Sequence, residues 1–162
     1  MSVTSVDKDY DNLTVTLVAE FDAAIGRVWE LWSDPRKLEH WWGPPGYPAT
    51  VETHDLTPGG QVRYLMTGPD GDMHHGVWRV TAVHPPTSLE FTDAFAETDG
   101  TPMADMPVST ISVQLVDREG GTRMEMRAKF ESREDMDKWV RTGSVEGMQE
   151  AVGQIDALLV EG

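Results

Sequence analysis

Residues 124–130 read MEMRAKF, with Met124, Met126, Ala128 and Phe130 alternating against Glu125, Arg127 and Lys129. Successive side chains of a strand point to opposite faces, so this stretch has one covered face and one wet face. That pattern belongs to an antiparallel sheet packed against a core from one side. Residues 13–21, LTVTLVAEF, repeat it with Leu13, Val15, Leu17, Ala19 and Phe21. Further strands are predicted over 48–56, 61–67, 74–84, 87–95, 107–117 and 122–130. Turn chemistry separates them: Pro58-Gly59-Gly60, Gly68-Pro69-Asp70-Gly71, Pro85-Pro86 and Glu119-Gly120-Gly121. Residues 96–106, AETDGTPMADM, carry no period and read as a mobile loop.

Helical patterns flank this run. Asp22 is placed to cap a short helix with Ile25, Val28, Leu31 and Trp32 on one stripe. Asp34-Pro35 starts a second, an acidic cap followed by proline at the first helical position. It ends at Trp41-Trp42, because Gly43-Pro44-Pro45-Gly46 cannot continue a helix. Ser132 and Asp135 open the last helical region, and Gly143 breaks or kinks it. Beyond Gly143, residues 144–160 place Met148, Val152, Ile155 and Leu159 on one stripe of a helix about 25 Å long at ~1.5 Å per residue. The class is α+β: a curved antiparallel sheet of about six to seven strands wrapped around a long C-terminal helix, with two short helices after the first strand. Residues 1–12 read as an N-terminal arm and 13–162 as a single domain.

The bulk composition narrows the function. The 162 residues carry 28 acidic and 13 basic side chains, a formal charge of −15. Such a field repels polyanions, which disfavours nucleic acid and stable association with anionic membranes. With no cysteine there is no disulfide, thiolate nucleophile or thiolate-held metal. MSVTSVDKDYDN has no basic-then-apolar leader, and no apolar run approaches ~18 residues, so the expected location is the cytoplasm. Nine methionines suit irregular packing or a deformable pocket wall.

In their joint order, several short motifs resemble the family named for activators of the heat-shock-protein-90 ATPase. They are Val28-Trp29, Asp34-Pro35 with Leu38, Trp41-Trp42-Gly43-Pro44, and Asp55-Leu56 with Pro58-Gly59-Gly60. Gly68-Pro69-Asp70-Gly71, Gly76 before Trp78, Pro85-Pro86 with Leu89 and Phe91, Gly121-Thr122-Arg123, and Gly143 with Gly147-Met148 follow. The resemblance runs from about Leu13 to Leu159 and implies a stand-alone member of the START-like (SRPBCC) superfamily. It therefore implies the helix-grip fold shared with the major birch pollen allergen. Ala24 stands where the family often has proline. Met148 stands where tryptophan is frequent, which trims an aromatic from the expected cavity wall. The eukaryotic co-chaperone makes much of its chaperone contact through a separate preceding domain, for which this chain has no room.

If sheet and terminal helix do not meet completely, the gap is an apolar cavity. Inward strand parity and the helical stripe nominate Trp32, Trp42, Tyr64, Met66, Trp78, Phe91, Met124, Met126, Trp139, Met148 and Val152 as ligand-binding wall residues. In HWWGPPGY (40–47), one tryptophan is expected to anchor the short helix and the other to reach the cavity mouth. No catalytic residue, metal site or cofactor is expected. His74 and His75 are adjacent on a strand and face opposite sides; His40, His54 and His84 are scattered, with no metal-ligand spacing. His54, His75 or Asp55 is the acid or base nearest to hand if one enters the pocket. No Gly-x-Ser-x-Gly is present, and the glycine-rich turns join strands rather than opening helices. Of Trp78 and Arg79, Trp78 is expected inward. The expected function is binding of a small apolar or amphipathic, lipid-like molecule. Two alternatives stand beside it: a chaperone-associated stress co-factor, and an enzyme on hydrophobic substrates such as a cyclase, dehydratase or hydrolase.

Overall fold

The computed structural model describes residues 2–161. Eight strands form one curved, open antiparallel sheet: β1 (Val3–Asp9), β2 (Thr14–Phe21), β3 (Ala49–His54), β4 (Gln61–Thr67), β5 (Met73–His84), β6 (Ser88–Ala96), β7 (Val108–Arg118) and β8 (Gly121–Lys129). Their spatial order is β1-β2-β8-β7-β6-β5-β4-β3. From β3 to β8 each strand neighbours its sequence successor. The one long-range join, β2 to β8, brings together the two stretches with the clearest alternation. Leu17 pairs with Met126 and Ala19 with Met124, while Met126 and Met124 pair on their other side with Val113 and Leu115. All six side chains are buried on one face. A one-residue slip would turn this row to solvent, so the register is strongly specified.

The residues expected to form an arm contribute a strand instead. Val3–Asp9 pairs with β2 across a short turn, which raises the strand count to eight. Its weak pattern has a physical reason: at the sheet edge, exposed residues dominate and the hydrophobic face is incomplete. The 96–106 stretch, read as a mobile loop, is a hydrogen-bonded turn. Glu97 N donates to Thr101 O at 2.8 Å, and Met103 N donates to Phe95 O at 2.8 Å.

Helix α1 (Ile25–Ser33) begins after Ala24, with no side-chain cap, so Asp22 does not cap it. Helix α2 (Pro35–Leu38) is capped as expected: Asp34 Oδ1 accepts from Arg36 N at 2.9 Å. Ser132 accepts from Asp135 N at 3.1 Å and starts α3 (Arg133–Arg141). Gly143 then adopts φ 82°, a left-handed conformation that an L side chain disfavours, and turns the chain into α4 (Ser144–Gly153). The single C-terminal rod expected over 144–160 is broken at Gln154, and α5 (Ile155–Glu161) follows. Helix α4 packs against β1 and β2, and α1 against β7 and β8. Among the described residues no helix is long and apolar enough to cross a membrane.

Candidate functional site

The site is built around the two tryptophans after α2. Their backbone N–H groups both bond to Leu38 O, so the last helical turn carries them before Gly43 ends it. Trp41 is fully buried and its indole N–H donates to Leu31 O at 2.9 Å, which ties the end of α2 back to α1. Trp42 turns the other way, edge-on to Trp78 at 4.8 Å and to Tyr64 at 5.9 Å between ring centroids. Trp41 is thus the anchor of the pair. Trp42 joins an aromatic cluster with Trp32, Trp78 and Phe91, in which Trp78 stacks on Phe91 at 3.9 Å. The indole N–H groups of Trp32, Trp42 and Trp78 are buried without an acceptor.

Beyond this cluster, between the inner sheet face and the α3–α4 corner, lies a hollow of about 300 Å³. Six nominated residues line it: Trp42, Tyr64, Met66, Met126, Trp139 and Met148. The other five do not. Trp32, Trp78, Phe91, Met124 and Val152 are essentially inaccessible and fill the core. They share the inward face, but strand parity cannot tell which rung of a sheet lies under the helix and which lies under the gap. Trp41, Pro44, Tyr47, His74, His75, Phe95, Ile111 and, at the α3–α4 corner, Thr142, Gly143, Ser144 and Gly147 also line the hollow.

Asp93 is the unforeseen member of that wall. On β6 it follows Leu89 and Phe91 at intervals of two, so it faces inward with them. Its Oδ1 accepts a hydrogen bond from the Tyr64 hydroxyl at 2.8 Å. No described residue donates to Oδ2. Asp93 is partly buried where it borders the hollow, and this desolvation raises its pKa from 3.8 to about 7; the Tyr64 bond opposes the rise. Burial, and then the nearby Asp93 charge, hold the Tyr64 hydroxyl well above its ordinary range. A glycine makes the pair possible. A side-chain carbon at Gly76, on the strand between β4 and β6, would overlap the Tyr64 ring and hydroxyl. Its absence lets the phenol lie across β5 to reach β6. The signal was present in the sequence as an acid in phase with Leu89 and Phe91, and as a glycine inside a strand.

The other candidate acids and bases go elsewhere. His54 Nε2 meets Trp32 O at 3.1 Å, a structural contact outside the hollow. Asp55 accepts from Thr57 in a turn. His74 sits at the mouth, paired with Asp72 at 2.8 Å, and half-buried His75 is beside it. Neither Lys nor Arg lines the hollow. Trp78 faces inward and Arg79 is exposed. Among the described residues no three His, Cys, Asp or Glu side chains converge as a metal site. The arrangement can therefore hold an apolar body against rings and thioethers, and can offer one carboxyl oxygen as acceptor or proton carrier.

An eight-stranded sheet with a helical C-terminal arm and a hollow beneath it places the protein among the START-like folds. The profile of the family described as activator of Hsp90 ATPase homolog 1-like protein matches residues 22–160, and the chain belongs to that family. It is similar to a protein from Arthrobacter aurescens whose solution structure is known, with 50% identity, a TM-score of 0.95, and 99% of this chain and 94% of that one covered. It is also similar to Ms6760 from Mycobacterium smegmatis, with 48% identity, a TM-score of 0.90 and coverage of 97% and 96%. A Rhodobacter sphaeroides protein shares the fold at 23% identity and a TM-score of 0.84, with both chains fully covered. Curated proteins offer no match.

Proposed function

We propose that the protein binds a small, predominantly apolar molecule in the hollow between the sheet and the α3–α4 corner. The observation that carries this reading is the pairing of an aromatic and methionine wall with one inward-facing carboxyl, Asp93, bonded by Tyr64. Sites for small ligands characteristically combine an apolar lining with a few placed polar groups. The hollow's volume of about 300 Å³ suits a compact metabolite rather than a long acyl chain. Native mass spectrometry of protein purified from its own host tests the reading. A retained mass that disappears when Met148→Trp fills the space supports it; a mass retained equally by that variant removes the hollow as the binding place.

A second reading, acid–base chemistry on the bound molecule, is favoured by the Asp93 carboxyl, whose pKa near 7 suits proton transfer at neutral pH. Incubation with a host metabolite extract would show a mass change with the native protein and none with Asp93→Asn. The same change with both would leave binding alone.

A further inference from the structure

The hollow carries a chemical preference, and this inference rests on its being a binding site. We infer that it selects a compact hydrophobic organic cation, an amine whose ammonium group docks on Asp93 Oδ2 among the surrounding ring faces. Several independent features point to a positive head group. Asp93, the one acid among the described residues that line the hollow, has one oxygen committed to Tyr64, and no described residue donates to the other. The wall contains no Lys or Arg that could receive an anionic ligand. Trp42, Tyr64 and Trp139 border the same space, and aromatic ring faces attract cations. The chain's net charge of −15 draws cations toward the mouth and repels carboxylates.

The groups that titrate around Asp93 support the same assignment. From β4 there is Tyr64, from β5 His74 and His75, and from the loop before β3 Tyr47; the lining residues of β7, β8, α3 and α4 carry no charge. His74, at the mouth, is already paired with Asp72. An ammonium would be the natural counter-ion of a carboxyl that burial otherwise keeps partly neutral, so binding it would expel a proton. A neutral alcohol would donate to Oδ2 with no such proton release.

Three cage compounds that differ only in head group decide the matter: 1-aminoadamantane, 1-adamantanol and adamantane-1-carboxylate, titrated calorimetrically into the full chain. At pH 8.5 the amine is expected to bind at least about tenfold tighter than the alcohol, since a hydrogen bond between ions outweighs one between neutral groups. The carboxylate is expected to be weakest. The amine's advantage should shrink at pH 5.5, where the Asp93 carboxyl is protonated. At pH 6, amine binding should release a proton, read from its dependence on buffer ionisation heat. Asp93→Asn should abolish the amine's advantage over the alcohol. Equal binding of amine and alcohol, or an advantage that survives in Asp93→Asn, overturns the cation inference alone. Binding of none of the three overturns both it and the hollow as a binding site. If Asp93→Asn fails to fold, the head-group order and pH trend of the native protein still decide.

Discussion

Asp93 should leave a signature in stability as well as in binding. Its folded-state pKa of about 7 lies above the ordinary 3.8, so between those values the folded protein holds a proton that the unfolded chain has lost. The favourable contribution of the neutral carboxyl is therefore complete below pH 4 and is lost as pH rises through 7. Asp93→Asn keeps an acceptor for Tyr64 but cannot ionise. Relative to the native protein, the variant should gain up to about 4 kcal/mol between pH 4 and pH 8, at ~1.4 kcal/mol per pKa unit, read by urea denaturation at each pH. A flat difference across that range would mean the carboxyl is solvated through the hollow. Gly76 offers a second residue-level test. Gly76→Ala should cost about 1–3 kcal/mol by driving the Tyr64 ring off its seat. In a Tyr64→Ala background the same change should be nearly neutral, because the overlapping ring is gone.

The elements around the site are held by polar ties at their ends. The break between α4 and α5 is one such tie. Gln154 Nε2 donates to Gly43 O at 2.8 Å and lies 3.2 Å from Trp41 O, so an interrupted helix fastens the chain just after the tryptophans. An unbroken rod would turn this side chain with the helical stripe and leave those carbonyls without it. Gln154→Ala should cost about 1 kcal/mol, the usual net worth of a hydrogen bond in a partly buried place. Faster amide exchange confined to residues 41–48 would mark the loosened roof. Uniform exchange across the sheet would instead signal a global loss.

At the scale of the molecule, the hollow lies between the inner face of the eight-stranded sheet and the α3–α4 corner. The aromatic cluster of Trp32, Trp42, Trp78 and Phe91 fills one side of the space and leaves the other to Tyr64, Asp93 and the thioethers. Met148 stands on the open side. Met148→Trp should enter existing space, so its effect on stability should stay within about 1 kcal/mol. It should weaken binding of a small apolar probe by at least about tenfold, the effect of losing most of the contact area. A large stability loss without any change in probe binding would show that Met148 is packed core.

The sheet was legible from local pattern because period-two alternation states which side of each strand is covered, and MEMRAKF and LTVTLVAEF state it plainly. Turn residues bounded β4 correctly, and the Asp34 and Ser132 caps lay where their side-chain chemistry put them. The edge strand β1 was hidden by its exposure, and the interruption at Gln154 by an apolar stripe that runs straight through it. Tertiary packing alone decided which inward residues border empty space. Val152 and Met148 lie one turn apart on α4, yet one is sealed in the core and the other lines the hollow. It also decided that Asp93 meets Tyr64, 29 residues away, because only the assembled sheet lays a phenol over Gly76. Alternation along a chain records the face a side chain takes; the distance across the gap is set by elements that the local pattern does not contain.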